Sequence, residues 1–327
     1  MTNSSSKRPG EFELIAQLFA PLASASGAFG LTDDVAVFAP PSGHELVLKT
    51  DAIVESVHFL GLDPADTVAK KALRVNLSDL AAKGAKPAGY LLTLNLPNST
   101  SMEWLENFAR GLGEDQKQFG ISLFGGDTTA TPSPLSISVS MFGFVPEGTL
   151  TRRSGAKPGD LVFVSGTIGD AGAGLAVLKG EGHNISVAMR DELVGRYHLP
   201  EPRLALGQAL RGIASASLDV SDGLIADLGH ICETSHVRIV VEAPRIPLSH
   251  ALHALWGDAF ARAATCGDDY EIAFTAPPEK RDAVLAAARA SNTRVTEIGR
   301  VEMGKGVHLL DASGNEIAIE RKGFTHF

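Results

Sequence analysis

The stretch MEWLENFARGLGEDQKQFGISLFGGD, residues 102–127, predicts a helix that is followed at once by a strand. The helix is expected from Met102 to Phe119, and the apolar run Ile121–Phe124 is the strand, which Gly125-Gly126 closes. An aspartate, Asp127, stands directly after the two glycines. Alternation of helices with strands is typical of the α/β class, in which functional loops lie at strand ends.

Strands and helices also alternate on either side of this stretch. Asp63-Pro64-Ala65-Asp66 predicts a helix start, because it offers a capping Asp, a Pro at the first helical position and an acid in the first turn. We expect this helix to run to about Lys83. The other elements expected in this half of the chain are a helix over Phe12–Ala20 and strands over Val35–Ala39, Glu45–Lys49, Tyr90–Leu96 and Leu135–Val145.

A domain boundary is predicted in residues 146–159, PEGTLTRRSGAKPG, which are rich in turn formers and basic residues. The fold class is therefore α/β, of the α+β type, with an N-terminal domain of mixed sheet and helices over residues 1–148 and a C-terminal α/β domain over 149–327. The second domain is expected to contain strands near Leu161–Val164, Val237–Val241, Tyr270–Thr275, Val295–Arg300 and Gly306–Leu310, and helices near Ala171–Leu178, Pro202–Ala214, Asp222–Thr234 and Pro278–Ala290.

The composition is that of a globular protein and excludes several classes of function. Of the 327 residues, 44% are hydrophobic and 20% are charged, which argues against disorder. The net charge of -9 argues against non-specific nucleic-acid binding, because that depends on a basic surface. Cys232 and Cys266 form neither a disulfide framework nor a Cys-x-x-Cys pair, so reduced thiols are expected.

The chain shows no signal for a membrane. Residues 1–12, MTNSSSKRPGEF, are polar, and no later stretch approaches the roughly 20 apolar residues that a membrane helix needs. We therefore expect a cytoplasmic protein without a membrane partner.

Aspartates recur at the expected strand ends and helix starts. Any one of them has an ordinary explanation as a turn or cap residue. Asp79, however, follows Val68, Ala72 and Val75 at helical spacing, which places its carboxylate on an apolar stripe where a charge needs a partner. Asp127 follows two glycines, which allow backbone to approach a ligand closely. The full set is Asp33, Asp34, Asp51, Asp79, Asp127, Asp219, Asp222, Asp268 and Asp269.

A cluster of such carboxylates would need cations. Two carboxylates 4 Å apart repel by roughly 4 kcal/mol at an effective dielectric constant near 20. Oxygen ligands without His or Cys partners suit Mg²⁺, which commonly lies between carboxylates and nucleotide phosphates. If the aspartates converge, metal-assisted phosphoryl transfer is the chemistry that they favour.

The segment Ser217–Gly223 leads into an expected amphipathic helix. Ser221 is expected to cap that helix, whatever else it does. Asp219 and Asp222 flank the helix N-terminus, where they add metal ligands beside a dipole that attracts anions.

Cationic and aromatic candidates for ligand contact are fewer. Arg152, Arg153 and Lys157 are available to a nucleotide, although such a basic run is more often a solvated linker. His58, seven residues after Asp51, either contacts a substrate phosphate or caps the strand end. On sequence grounds alone, Phe324 is expected in a core.

The glycine-rich turn SGTIGDAGAG, residues 165–174, does not match a known phosphate loop. It fails the G-x-G-x-x-G pattern, because Val177 occupies the third glycine position counted from Gly172. The sequence also lacks a G-x-x-x-x-G-K-[ST] P-loop. P-loop and protein-kinase folds are thus disfavoured, and the phosphates of a nucleotide are expected to be held mainly through metal.

Taken in order, the motifs resemble the thiamine-monophosphate kinase family, in the superfamily that includes aminoimidazole ribonucleotide synthetase and selenophosphate synthetase. The resemblance covers nearly the whole chain. Short acidic motifs are weak singly, but the ordered set is specific. Its members are Gly10-Glu11-Phe12, Asp33-Asp34-Val35-Ala36, Thr50-Asp51 with His58-Phe59, Val75–Leu80, Gly125–Thr128, Arg153–Asp160, Asp219–Gly223, Asp269-Tyr270-Glu271 and Lys322-Gly323-Phe324.

The resemblance implies an ATP- and Mg²⁺-dependent enzyme that phosphorylates thiamine phosphate to thiamine diphosphate by direct transfer, without an enzyme nucleophile. It also implies a homodimer whose N-terminal domains pair through their sheets, with the C-terminal domain completing the active site. Several Mg²⁺ ions would be bound by Asp34, Asp51, Asp79, Asp127, Asp219 and Asp222, assisted by Thr50 and the backbone at Lys49. The ATP contacts would be Gly126, Asp127, Arg153 and Ser221, and the acceptor site would be lined by His58, Asp268 and Phe324.

The chain departs from the family pattern at four positions. Thr32 replaces a usual Gly, Lys83 a common Met, Asp268 the usual Glu, and Phe324 the usual Tyr or Trp. Two alternatives stay open. One is another ATP-dependent enzyme of the same superfamily with a different acceptor, although no Cys precedes Cys232 as a selenide-using enzyme would require. The other is a non-catalytic sensor of Mg-ATP.

Overall fold

The structure, a computed structural model, describes residues 10–324 and divides into two compact units. Of the described residues, the first unit comprises 10–76 together with Pro87–Phe144, and the second comprises Leu77–Lys86 together with 145–324. Each unit contains one sheet with helices, so the predicted α/β class with two domains is confirmed. The inclusion of Leu77–Lys86 in the second unit had no signal in the sequence.

The first unit is built on a four-stranded sheet with the strand order β1-β4-β2-β3, in which β2 and β3 run parallel. A short helix near the N-terminus continues as a π-helical turn over Ile15–Phe19 and a 3₁₀ turn over Ala20–Leu22. The elements are α1 (Glu11–Leu14), β1 (His44–Val54), α2 (Ala65–Ala82), β2 (Lys86–Pro97), α3 (Met102–Phe119), β3 (Ser122–Thr131) and β4 (Ser136–Pro146).

Helix α3 has the predicted bounds because local signals define both of its ends. The Ser101 hydroxyl accepts a hydrogen bond from the Trp104 amide at 3.1 Å, and Gly120 ends the helix in the left-handed conformation, with φ 66°. One face of the helix, including Leu105 and Phe108, is fully buried. Strand β3, which contains Asp127, follows the helix after Gly120 and Ile121 and pairs in parallel with β2.

One strand prediction for the first unit is wrong. The predicted strand Val35–Ala39 is irregular backbone, and Val35 and Val37 are 65% and 58% exposed. Strand propensity did not suffice there, because the segment has no place in the four-stranded sheet. The predicted helix Phe12–Ala20 is confirmed as a helical segment, which is α-helical as far as Leu14, π-helical over Ile15–Phe19 and 3₁₀-helical from Ala20.

The second unit is built on a six-stranded mixed sheet with the order β10-β7-β9-β5-β8-β6, in which only the β10–β7 pair is parallel. The strands are β5 (Leu161–Ser165), β6 (Ala216–Asp219), β7 (Arg238–Glu242), β8 (Ile272–Ala276), β9 (Val295–Glu302) and β10 (Gly306–Leu310). The helices are α4 (Asp170–Leu178), α5 (Val187–His198), α6 (Leu204–Ala209), α7 (Leu224–Ser235), α8 (His250–Trp256), α9 (Phe260–Thr265) and α10 (Arg281–Ala290).

The main core of the second unit lies between α7 and the sheet. It includes Val164 of β5, Leu218 of β6 and Leu228 of α7, all almost completely buried. The sequence did not predict β6 or the helices α5, α8 and α9. Strand β6 is nonetheless the element that places Asp219, since all four of its residues are buried and the aspartate is the last of them.

Among residues 10–324, no helix combines the length and the apolar character needed to cross a bilayer. Both cysteines are free thiols, as predicted, with Cys232 buried and Cys266 half-buried. Burial raises the pKa of each thiol to about 11.

Candidate functional site

A cavity of about 600 Å³ in the first unit is lined by several of the predicted ligand-binding residues, some of which belong to β3. Its lining includes Asp34, Gly126 and Asp127, which the sequence assigned to metal and nucleotide, together with Asp33. Both Asp34 and Asp127 are exposed, so their carboxylates are accessible to a ligand. The remaining wall is apolar and includes Phe38, Phe124 and Phe142.

Gly126 is required by the backbone at this cavity. Its φ is 156°, and a Cβ atom there would lie 1.8 Å from the carbonyl oxygen of Leu92 on the neighbouring strand. Only glycine therefore permits β3 to approach β2 so closely just before Asp127.

On β1, the predicted metal ligand Asp51 forms an ion pair within the strand, and the predicted ligand Thr50 forms a hydrogen bond with the neighbouring strand β4. The Lys49 ammonium lies 3.1 Å from the Asp51 carboxylate, and both side chains are about one-third exposed, at 29% and 38%. The Thr50 hydroxyl accepts a hydrogen bond from the Ser140 hydroxyl at 3.1 Å. The sequence assigned Lys49 through its backbone only, and the structure adds its ammonium as a partner of Asp51.

His58 has the structural role that the sequence left open. Its Nδ1 accepts a hydrogen bond from the Val54 amide at 3.0 Å, and its carbonyl oxygen accepts one from the Lys71 ammonium at 3.0 Å. The ring therefore caps the end of β1, and a neutral His58 carries its proton on Nε2. Its contact with substrate stays a prediction.

In the second unit, Asp219 and Asp79 influence each other electrostatically. Burial and the nearby Asp79 carboxylate raise the pKa of Asp219 well above its usual value, while the Ser78 hydroxyl and the Lys83 ammonium oppose the rise. The Lys83 ammonium also donates a hydrogen bond to the Ser217 carbonyl oxygen at 2.5 Å. Asp79 is half-buried rather than buried, so its predicted environment is only partly correct.

The loop before α7 is organised by a residue that the sequence did not single out. Asp227 accepts hydrogen bonds from the amides of Asp222 and Gly223 at 3.0 and 3.1 Å. Burial and the Asp222 carboxylate raise the pKa of Asp227 to about 7, against the effect of these amides. Its position in the first turn of α7 was the available signal.

The predicted helix cap at Ser221 is wrong. The residue before α7 is Gly223, which has no side chain that could cap the helix. Asp227 accepts hydrogen bonds from the amides of Asp222 and Gly223, which precede the helix, and the half-buried Ser221 lies outside the helix.

Backbone hydrogen bonds bring four predicted site residues together in the second unit. The Asp268 amide donates to the Ser221 carbonyl oxygen at 2.8 Å, and the Phe324 amide donates to the Asp222 carbonyl oxygen at 2.9 Å. A Cβ atom on Gly267 would lie 2.6 Å from the Ser221 oxygen, so the approach of the two loops requires glycine. Ser221, predicted to contact the nucleotide, is thus adjacent to Asp268, and Asp222, predicted to bind metal, is adjacent to Phe324. Asp268 and Phe324 are the residues predicted for the acceptor site.

The exposure of Phe324 and Arg153 bears on two further expectations. Phe324 is 41% exposed, so the expectation that it lies in a core is wrong. Its backbone is held to Asp222, but its ring is only partly covered. Arg153 is exposed and follows Arg152, whose carbonyl oxygen accepts a hydrogen bond from the Ser217 amide at 2.8 Å. A contact between Arg153 and ATP stays a prediction.

The candidate metal ligands occur as small groups within each unit. Across residues 10–324, no three His, Cys, Asp or Glu side chains form a complete metal site. The donors are nevertheless of the kind that Mg²⁺ prefers, because they are carboxylate oxygens and Asp219 is buried near a second carboxylate. The residues present therefore fit a hard divalent cation.

Family models match the two halves of the chain. The model for AIR synthase related protein, N-terminal domain, matches residues 32–145, and the model for the corresponding C-terminal domain matches residues 157–311. Thiamine-monophosphate kinase of Caulobacter vibrioides is 43% identical over 326 residues, which covers 97% of this chain and 91% of that protein.

The chain belongs to the thiamine-monophosphate kinase family.

Solved structures of the thiamine-monophosphate kinase family have the same fold. The crystal structure from Stenotrophomonas maltophilia K279a has a TM-score of 0.80 and 42% identity, covering 88% of this chain and 91% of that one. AaThiL complexed with AMPPCP and TMP has a TM-score of 0.78 and 33% identity, covering 97% of both chains. The family resemblance stated from the motifs is therefore confirmed.

Proposed function

We propose that this chain transfers the γ-phosphoryl group of ATP to the phosphate of thiamine monophosphate, giving thiamine diphosphate and ADP. The observation that carries the proposal is the pairing of the loops around Ser221 and Asp268, which brings together residues assigned to nucleotide, metal and acceptor. It agrees with the near full-length similarity to thiamine-monophosphate kinases.

Magnesium is the cation that the donor set fits. The residues that would hold it are Asp34, Asp51, Asp79, Asp127, Asp219 and Asp222, with Thr50 and the Lys49 backbone. When bound, Mg²⁺ neutralises phosphate charge and polarises the transferring group.

The chain's own residues bind and orient the two substrates. We assign Gly126, Asp127, Arg153 and Ser221 to the nucleotide. For the acceptor, the Asp268 carboxylate attracts the cationic thiamine ring system, and Phe324 offers an apolar face that can stack but cannot donate a hydrogen bond. His58 is assigned to the acceptor phosphate.

Transfer is proposed to be direct. The acceptor phosphate is itself the nucleophile, and no side chain in the sequence stands with a base in an activating motif. Both substrates must therefore be bound together, and ATP alone should leave the protein unphosphorylated.

We also propose a cytoplasmic homodimer that binds neither nucleic acid nor membrane. The net charge of -9 supports the lack of nucleic-acid binding. Pairing through the sheet of the first unit is supported by exposed leucines on β1 and β2, since Leu46, Leu48 and Leu91 are 45%, 72% and 43% exposed. The division into domains 1–148 and 149–327 is part of the same proposal.

The test is a purified-enzyme assay with ATP, Mg²⁺ and either thiamine monophosphate or thiamine, in which the products are separated by chromatography. We expect thiamine diphosphate from the monophosphate and almost no product from thiamine, because thiamine lacks the attacking phosphate. Equal turnover of both acceptors would contradict the substrate assignment. ATP binding without any turnover would instead identify a sensor, and turnover of only another phosphate acceptor would identify a different enzyme of the superfamily.

A further inference from the structure

The loop Gly267–Glu271 carries three carboxylates, of which the proposed function uses only that of Asp268. Asp269 and Glu271 are almost completely buried, with 1% and 0% exposure, whereas Asp268 is half-buried. Asp268 and Tyr270 both have left-handed backbone conformations, with φ 70° and 51°. Residues other than glycine rarely adopt this conformation, so the surrounding structure must hold it in place.

Asp269 anchors one side of the loop to the start of α4. Its Oδ2 accepts a hydrogen bond from the Gly169 amide at 2.7 Å, and its Oδ1 accepts one from the Ala171 amide at 3.3 Å. Amides at the start of a helix lack partners within the helix and form the positive end of its dipole. Because both carboxylate oxygens are engaged, the side chain is fixed in one orientation.

Glu271 anchors the other side through two arginines. Arg203 donates to both of its carboxylate oxygens, at 2.7 and 2.6 Å, and Arg196 donates at 2.7 Å. The Ser165 hydroxyl adds a fourth hydrogen bond at 2.6 Å. Charge-assisted and bidentate bonds of this kind are strong and geometrically specific.

The glycine-rich turn that follows β5 makes room for these carboxylates. A Cβ atom on Gly166 would lie 2.1 Å from Oε1 of Glu271, and Gly166 itself has φ 57°. Residues 165–174 lack the dinucleotide pattern, and the structure shows a different use for their glycines. The turn receives Glu271, and the helix after it binds Asp269.

We propose that Asp269 and Glu271 are positioning residues, which hold the loop against Ser221 so that Asp268 presents its carboxylate to the acceptor. The Asp268 amide donates to the Ser221 carbonyl oxygen at 2.8 Å and the Tyr270 amide donates to the Val220 carbonyl oxygen at 2.7 Å, so the two left-handed residues on either side of Asp269 hold the loop to this segment. The proposal rests on the proposed function, which assigns Asp268 to thiamine monophosphate.

The first test is Asp269→Asn. Asparagine offers one acceptor oxygen and turns an NH₂ group towards a backbone N–H, so the loop loses an anchor without losing volume. We expect the KM for thiamine monophosphate to rise about tenfold, while kcat and the KM for ATP change by less than about threefold. The dissociation constant for thiamine monophosphate, measured with a non-hydrolysable ATP analogue present, should rise in parallel.

The matched control is Asp115→Asn in the first unit. Asp115 is also fully buried and binds Arg74 through both oxygens, at 2.7 and 2.9 Å. This variant should lose stability without a selective change in the acceptor KM. A rise in that KM for both variants would show that Asp269 acts only through general stability and would overturn the proposal.

A double-mutant cycle tests whether Asp269 acts through Asp268. In an Asp268→Asn background, Asp269→Asn should change the acceptor KM by less than about twofold, because the contact that it positions is already absent. Independent, additive effects would overturn the proposal. Glu271→Gln is the second variant if Asp269→Asn does not fold, and it should give the same selective KM pattern.

Amide hydrogen exchange of the ligand-free protein separates this proposal from the proposed function. Exchange of the Asp268 and Tyr270 amides should rise in Asp269→Asn and stay unchanged in Asp115→Asn. Failure of the wild type to use thiamine monophosphate would overturn the function while this measurement still tests the anchoring. Unchanged exchange in Asp269→Asn would overturn the anchoring even if the wild type is active.

Discussion

Two aspartates that line the cavity of the first unit differ from three aspartates of the second unit in what surrounds them. Asp34 and Asp127 are exposed at the wall of a cavity. In the second unit, Asp219, Asp227 and Asp269 are each no more than 5% exposed. Carboxylates that look alike in the sequence therefore divide into solvated groups and buried groups.

Within the second unit, the donors around each buried carboxylate separate structure from ligand binding. Asp227 and Asp269 accept hydrogen bonds from backbone amides, which offset part of the cost of burial, although burial and a neighbouring carboxylate still raise the pKa of each. Asp219 is likewise near a second carboxylate, since burial and Asp79 together raise its pKa, but the groups that oppose this rise are the Ser78 hydroxyl and the Lys83 ammonium. The comparison teaches that a buried carboxylate held by backbone amides stabilises a loop, whereas Asp219, whose raised pKa a hydroxyl and an ammonium oppose, is the buried carboxylate that favours a bound cation.

The largest expected effect is the loss of turnover in Asp127→Asn and Asp79→Asn, one variant from each unit. Each removes charge from a proposed Mg²⁺ ligand, so kcat/KM should fall by about 100-fold or more. In the metal-free protein, Asp79→Asn should not lower the Tm, because it relieves repulsion with Asp219. Steady-state kinetics and thermal unfolding measure the two effects.

Asp191→Asn is the control for these variants, since it removes the same charge from an exposed position on α5. Its activity and its Tm should match those of the wild type. Near-normal Mg²⁺-dependent activity in both Asp127→Asn and Asp79→Asn would contradict the assignment of the metal ligands.

A smaller effect is expected for Lys83→Met, which restores the residue common in the family. The ammonium hydrogen-bonds to the Ser217 carbonyl oxygen and offsets the charge of Asp219. Its removal should lower the Tm of the metal-free protein by roughly 2 °C. The rise in Tm on adding Mg²⁺ should then be larger than in the wild type, because the cation replaces the lost positive charge.

Lys117→Met, an exposed position on α3, is the matched control and should change neither quantity. Thermal unfolding across a series of Mg²⁺ concentrations makes the comparison. If Lys83→Met and the wild type show the same Mg²⁺-induced rise in Tm, Lys83 does not compensate the negative charge of Asp79 and Asp219.

The smallest expected effect concerns Asp170, a buried carboxylate of the second unit that accepts hydrogen bonds from the hydroxyls of Thr167 and Ser249 at 2.5 and 2.6 Å. Burial raises the pKa of Asp170 despite these bonds. The folded state therefore binds this proton more tightly than the unfolded state, and the associated stability is lost as the pH rises through the folded pKa.

Asp170→Asn mimics the protonated form and lacks this titration. The wild-type free energy of unfolding, relative to that of Asp170→Asn, should fall as the pH rises from near 4 towards neutrality. Urea unfolding at several pH values measures the difference. A relative stability that rises with pH would show that the hydroxyl donors outweigh burial at this site.

The fold was predictable where local signals define an element. Helix α3 has the predicted bounds because Ser101 and Gly120 cap it and its apolar face is regular. The failures are elements that depend on partners distant in sequence. Val35–Ala39 has strand-forming residues but no place in the sheet, and β6 has only four residues and is stabilised by pairing with β8.

The candidate site was predictable in its residue types but not in its supporting contacts. The aspartates and the resemblance identified Asp34, Asp127, Asp219 and their neighbours. The role of Asp227 was not predicted, and Ser221 was wrongly expected to cap α7, because capping depends on which side chain reaches the amides. The roles of Asp269 and Glu271 likewise depend on amides and arginines 68 to 100 residues away in sequence.

The sequence by itself determined the α/β class and the family and predicted an acidic candidate site, because periodicity, glycine positions and ordered motifs are local properties of the chain. Only the tertiary structure decided which carboxylates stay solvated, as Asp127 does, and which are buried against donors, as Asp269 is. The physical reason is that the free energy of a charged group depends on burial and on the donors around it, and folding brings those donors from distant parts of the chain.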